Sequence, residues 1–222
     1  MTDPATPPPE DAVLKARLLE AALSHIPFDG FTDSVLERAG LDARIDAATQ
    51  ARLFPKGALD LLEEFSTSAD QQMLALLAEQ DLAALPVRER IAAAVWARLD
   101  ALRRRKEAAR RAAAVLTLPP NAGLGAKLLW RTVDEMWRAV GDTSTDFNFY
   151  TKRGILAGVL SATLLRWFND TSEDESATRD FLDRRIQDVM NFEKLKAQAK
   201  KEMAKLPSLE DFLKRLNRGP SA

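Results

Sequence analysis

Apolar residues recur every three or four positions along almost the whole chain, while glycines and prolines fall between these runs. That spacing matches one face of an α-helix. Alternating strand patterns are nearly absent, so an all-α fold is expected. The first helix is expected over about Asp11 to Ile26, with Leu14, Leu18, Ala22 and Ile26 on one face. Gly30 ends the turn after it. Thr32 is placed to cap a short second helix that Gly40 stops. A third helix is expected over Ala43 to Phe54, broken by Pro55, and then a long helix reaching Leu85. Pro86 sits at the start of the next helix, whose continuation from Ala112 to Leu118 stops at Pro119-Pro120. Asn121 is expected to cap a helix ended by Gly141. The most apolar helix runs from Phe149 to Phe168. A further helix starts at Asp174, runs to about Asn191, and can continue into a lysine-rich stretch that Pro207 terminates.

Composition narrows the chemistry. The 222 residues contain no cysteine and one histidine, His25. Disulfides, thiolate catalysis and cysteine-held metals are therefore excluded. A di-iron helix bundle needs two Glu-x-x-His pairs, which one histidine cannot supply. There is no glycine loop for phosphate, and no catalytic constellation around His25, which reads as helix-end packing or surface. No metal site, cofactor or enzymatic activity is expected. The formal net charge of −1 argues against a surface that grips nucleic acid throughout. No run reaches the roughly 18 apolar residues of a membrane span. Residues 1–10 are Pro-rich and acidic and read as a disordered tail, with no transit peptide visible.

Three short helices followed by a long one, joined through Phe54-Pro55-Lys56-Gly57-Ala58-Leu59, resemble the helix-turn-helix head of the tetracycline-repressor fold. Residues 11–57 form that head, 58–192 a helical body for ligand binding and dimerisation, and 193–222 an amphipathic C-terminal segment. DNA binding needs cations aimed at phosphates. Residues 28–57 carry Asp29, Asp33, Glu37, Asp42 and Asp46 against Arg38, Arg44, Arg52 and Lys56. The expected reading helix carries Asp46 beside Ala47 and Ala48, and so offers few base-reading side chains. The head reads as vestigial, and no nucleic-acid partner is expected. A ligand-responsive transcription regulator is the alternative.

The most informative stretch runs Val133-Asp134-Glu135-Met136-Trp137, Gly141-Asp142, Ser144-Thr145-Asp146-Phe147-Asn148, Tyr150-Thr151-Lys152-Arg153. As residues alone, Asp142 and Asp146 are expected to cap helix ends, with Trp137 and Tyr150 filling the core. The order of this motif resembles the lipid-binding accessory protein family of ubiquinone (coenzyme Q) biosynthesis over roughly residues 12–192. The resemblance implies the repressor-like fold, a homodimer, loss of DNA binding and a lipid pocket in the body. It also implies a role without catalysis: binding an isoprenoid lipid or ubiquinone precursor and presenting it to a ring hydroxylase of that pathway. Carried over residue by residue, Asp134, Met136, Phe149 and Tyr150 are the candidate partner-binding patch. Phe149 departs from the family, which often carries tryptophan there. The implied location is cytoplasmic, peripheral on the inner membrane of a bacterium, or the matrix side of a mitochondrion in a eukaryote.

A polyprenyl tail gains nothing by leaving a bilayer, and each CH₂ left wet costs about 0.8 kcal/mol, so a carrier must offer a dry channel. Leu128, Leu129, Ile155, Leu156, Val159, Leu160, Leu164, Phe181 and Ile186, with Met136, are the candidate lining residues. Periodicity cannot separate them from plain core. From Lys194 to Lys205 there are five lysines and one acid, with Leu195, Met203 and Leu206 among them. Lys200, Lys201 and the following face of Leu209, Phe212, Leu213 and Leu216 suit a helix lying on an anionic membrane, or simply a solvated terminal helix. A second basic run, Arg98, Arg103, Arg104, Arg105, Lys106, Arg110 and Arg111, suits either lipid headgroups or the wet side of a helix.

Overall fold

The computed structural model describes residues 9–145 and 147–205. Most of the expected tail, Asp146, and the terminal residues Leu206, Leu209, Phe212, Leu213 and Leu216 lie outside the described residues. Among the described residues there are helices and turns and no strand, as the periodicity requires.

Helix α1 spans Pro9–Ala22, reaching back into the expected tail, since proline fits a first helical turn. It does not run to Ile26. Pro27 has no N–H for the carbonyl four residues back and would crowd it. The chain therefore turns through Leu23 to His25 and restarts as the short α2, Ile26–Asp29. His25 Nε2 lies 2.7 Å from Asp42 Oδ2, tying that turn to the next helix.

Helix α3, Asp33–Ala43, starts at Thr32, whose hydroxyl accepts from the Val35 N–H. It passes through Gly40 and closes on Arg44, which takes the left-handed conformation instead. Gly40 serves close approach: a Cβ there would sit 1.8 Å from Gln50 Nε2. Helix α4, Ala47–Leu53, is shorter than expected because Asp46 caps it from outside, accepting from the Thr49 N–H. Gly57 then turns with positive φ, and Asp33 accepts from the Ala58 N–H at 2.8 Å to open α5.

Helix α5, Ala58–Ala78, stops short of Leu85. Pro86 caps α6, Val87–Arg103. The chain breaks at Arg104-Arg105 before α7, Lys106–Leu116, where one continuous helix is expected from the sequence. The basic run fastens this bend. Arg105 pairs with Glu20 and Arg103 with Asp100 and Glu175. Lys106, Arg110 and Arg111 donate to the carbonyls of Asp170, Phe168 and Pro27. Cations committed in this way are joints of the fold, so the headgroup reading of that run is set aside.

Helix α8 spans Ala122–Ala139. Asn121 does not cap it with its side chain, which donates to the Val115 carbonyl instead. At its end the Gly141 N–H bonds Arg138 O and the Asp142 N–H bonds Trp137 O, with Gly141 at positive φ. That is a Schellman closure, which glycine adopts without steric cost. Helix α9 spans Phe147–Phe168, and α10 spans Ser176–Lys205, with no break at the expected boundary near residue 192. Asp170 prepares the α10 start by accepting from Ser172 and Thr178, which hold its carboxyl below the usual range.

Leu18, Val35, Leu61, Leu99 and Trp167 belong to one apolar cluster, so the first four helices share a core with the body. A second cluster, with Met73, Val95, Val133, Leu156 and Leu182, joins α5, α6, α8, α9 and α10. Between α5, α6 and α8 lies a buried charge cluster. Arg98 reaches Asp70 at 2.9 Å, Arg131 reaches it at 3.2 Å, and the Thr132 hydroxyl donates to it at 2.8 Å. Burial pulls the Arg98 guanidinium down and the Asp70 charge opposes this. Glu135 stands nearby with a buried oxygen that has no partner. Burial, then the Asp70 charge, push its carboxyl above the usual range against Arg131 and Arg98.

Leaving Arg98 buried without its carboxylate by Asp70→Leu is expected to cost about 3–5 kcal/mol in urea unfolding, and the double variant with Arg98→Met to recover most of it. Glu135 has a raised folded-state value, so its contribution is intact at low pH and lost as pH rises through that value. Glu135→Gln is therefore expected to raise the melting temperature at about pH 8 and to change it little at about pH 4.

Candidate functional site

The end of α8, the loop after it and the first turns of α9 are bound together by Arg153. Its side chain is buried and donates to Asp134 Oδ1 at 2.6 Å, to Asp142 Oδ2 at 3.1 Å and to the Phe149 carbonyl at 3.3 Å. Its guanidinium lies 3.5 Å from the Phe149 ring centroid. Asp142 also accepts from Ser144 and Lys152, at 2.8 and 2.7 Å. Burial pushes the Asp142 carboxyl up, but these donors outweigh it and hold it at about 2. Asp142 is thus an ion-pair centre, where the residues alone suggest a helix cap.

Beside this knot an apolar groove of about 230 Å³ opens between α6, α8, α9 and α10. Of the candidate lining residues, Ile155, Leu156, Val159 and Ile186 face it. Leu128 and Leu160 are packed in the interior. Leu129 is half-buried against the second cluster and Phe181 packs under Arg185, neither on the groove wall. Leu164 lines a separate cavity of about 110 Å³ with Phe65, Arg98 and Phe168. The groove also takes in Ile91, Trp137, Val189 and Met190, which were not among the expected lining residues; Trp137 was expected in the core. Trp137 and Ile91 carried the right periodicity for a core helix, and nothing in the sequence marks such a residue as facing a hollow.

The expected partner patch divides in the same way. Met136 has no exposed surface and cannot touch a partner, because the α8 face it occupies is the core face. Asp134 is half-buried and holds Arg138 and Arg153, at 2.8 and 2.6 Å. Tyr150 does not fill the core; it is 63% exposed. Trp130, missed in the sequence, is 37% exposed and stacks on Tyr150 with centroids 6.1 Å apart. Phe149 closes the trio, 6.3 Å from Trp130 and 5.1 Å from Tyr150. Trp130 lies seven positions before Trp137, two helical turns away, and that spacing was the available signal.

The α10 residues Lys200, Lys201 and Met203 continue the helical backbone. Leu195 on the same helix is 65% exposed, with Phe192 and Met190 also exposed. Among the described residues no helix is long and apolar enough to cross a membrane. In the head, Arg38 pairs with Asp29 and Arg52 with Asp11, so two of the four cations of residues 28–57 are already met by acids.

A model of the COQ9 family matches residues 122–193, which hold the Arg153 knot and the α8, α9 and α10 walls of the groove. The chain is 35% identical over 185 residues to the ubiquinone biosynthesis protein COQ9, mitochondrial, of Rattus norvegicus, covering 80% of this chain and 59% of the relative. The Homo sapiens protein of that name is equally similar, with 58% of its length covered. The mitochondrial ubiquinone biosynthesis protein coq9 of Schizosaccharomyces pombe is 32% identical over 174 residues, covering 78% of this chain and 68% of that one. The chain spans about three fifths of the length of the mammalian relatives. Among solved structures, a TetR transcriptional regulator from Nitrosomonas europaea superposes with a TM-score of 0.63 at 18% identity, over 79% of this chain and 97% of that one. At that identity the likeness bears on fold alone, and the fold is the tetracycline-repressor fold expected from the sequence. With the motif residues gathered into one knot and the fission-yeast protein matched over most of its length, the chain belongs to the COQ9 family.

Proposed function

We propose that this protein serves ubiquinone biosynthesis as a non-catalytic carrier that binds an isoprenoid lipid or ubiquinone precursor and presents it to a ring hydroxylase. The observation that carries this reading is the groove between α6, α8, α9 and α10, walled by Ile155, Leu156, Val159 and Ile186. An apolar cleft with a few polar groups at one end is the usual form of a site for a greasy ligand. The names of the relatives supply the pathway. The hydroxylase docks on the exposed Trp130 and Tyr150 with the half-buried Phe149 beside them, within about one helical turn of the groove-lining Lys152. Aromatic side chains at a surface bury much area for little lost freedom on binding.

In the same proposal the exposed Phe192 and Leu195, with the lysines after them, rest on a membrane surface. In a bacterium that surface is the cytoplasmic face of the inner membrane, and in a mitochondrion the matrix face. The protein acts as a homodimer and takes no nucleic-acid partner. The pairing of Arg38 and Arg52 with acids supports the last point, since cations held by carboxylates are poorly placed to displace the counterions of DNA.

Purified protein is expected to release an isoprenoid quinone or its precursor on organic extraction, seen by mass spectrometry. Protein that is repeatedly empty and does not take up added isoprenoid quinones would overturn the carrier reading. Trp130→Ala is expected to weaken binding to the hydroxylase of the same organism by roughly 30-fold, leaving circular dichroism and lipid content unchanged. Unaltered hydroxylase affinity would remove the aromatic trio from the interface.

A further inference from the structure

The groove is not chemically uniform along its length. On α9 its wall changes from Asn148, Thr151 and Lys152 in the first turns to Ile155, Leu156 and Val159 beyond. At the helical rise this gradient extends over about 16 Å. Other elements bring polar groups to the same end. Arg90 at the start of α6 donates to the Val140 carbonyl at the end of α8, at 3.3 Å. Lys152 Nζ lies 5.4 Å from the ring centroid of Trp137, on the last turns of α8. The start of α6, the end of α8 and the start of α9 therefore meet around one mouth.

Two cations line the groove, Lys152 on the first turns of α9 and Arg88 on the first turn of α6. Lys152 is held by Asp142 and Ser144. Arg88 is exposed and, among the described residues, has no ion pair or hydrogen-bond partner. Asp134 and Asp142 between them already meet Arg138, Arg153 and Lys152. Among the described residues that line the groove, the charged ones are Arg88 and Lys152, with no carboxylate. Trp137 on α8 also lines the groove, although its indole N–H is buried and not presented to it. Donors and positive charge predominate at one end, and hydrocarbon forms the other.

We infer that the groove selects amphiphiles with an anionic head, holding the head between Arg88 and Lys152 and laying the tail along Ile155, Leu156, Val159 and Ile186. This rests on the groove being the lipid site proposed above. A guanidinium meets a phosphate or a carboxylate with two parallel hydrogen bonds. A phospholipid and a carboxylated aromatic isoprenoid therefore share the chemistry recognised here. The orientation places the head within one helical turn of the exposed Tyr150, so the ligand offers its polar end beside the aromatic trio and keeps its tail inside.

The test is titration calorimetry of the full chain with dodecyl phosphate, dodecanoate, a neutral dodecyl ethoxylate and dodecyltrimethylammonium, each below its micelle concentration. Both anions are expected to bind about tenfold tighter than the neutral amphiphile, with the cation weakest. Arg88→Glu is expected to abolish that preference, so that neither anion binds tighter than the neutral amphiphile. Dodecyl phosphate above dodecanoate would point to a phosphate-headed lipid, and the reverse order to a carboxylated isoprenoid. Equal affinity for all four heads, or a preference for anions that survives Arg88→Glu, overturns the inference and leaves the lipid site standing. Failure of every amphiphile to bind removes the lipid site itself, and the inference with it.

Discussion

Everything at the working end of this molecule depends on one buried guanidinium. Arg153 joins Asp134 on α8, Asp142 in the loop and the Phe149 ring and carbonyl on α9. Without that positive charge two carboxylates would face each other unneutralised in a water-poor site, and the loop would lose its tie to Asp134 on α8. With it, the first turns of α9 are set so that one side presents Tyr150 outward and the other aligns Lys152, Ile155 and Leu156 along the groove. Surface and cavity are two faces of one helix held in one register.

The body uses the same device a second time. Asp70, Arg98, Arg131 and Thr132 place a charge cluster where three helices cross. Buried ion pairs contribute little net stability but penalise any arrangement that separates the partners. Here the cluster fixes the mutual register of α5, α6 and α8, which an apolar interface alone would leave freer to slide. The orphaned oxygen of Glu135 is the cost of crowding a further carboxylate beside it.

Much of the fold was legible because helix periodicity and proline positions are local signals. Thr32, Pro86 and Gly141 mark boundaries where the sequence puts them. Pro27 and the Asp46 cap moved two boundaries locally, and others were set by distant partners. Gly40 answers to Gln50 across a helix crossing, and the break at Arg104-Arg105 answers to Glu20, Glu175 and the carbonyls of two remote turns. The site was half legible for the same reason. The motif located the knot, but whether Met136 or Tyr150 faced outward depended on packing that a single-helix pattern does not record. Leu128 and Leu156 are both buried apolar residues; only the void beside Leu156 distinguishes them.

Helix α10 walls the groove with Ile186, Val189 and Met190 and then continues to Lys205 without interruption. Such a segment transmits displacement like a beam, since bending it would break consecutive backbone hydrogen bonds. The groove's fourth wall and the exposed Phe192 and Leu195 are therefore mechanically one part, so whatever anchors the helix beyond Asn191 also anchors that wall.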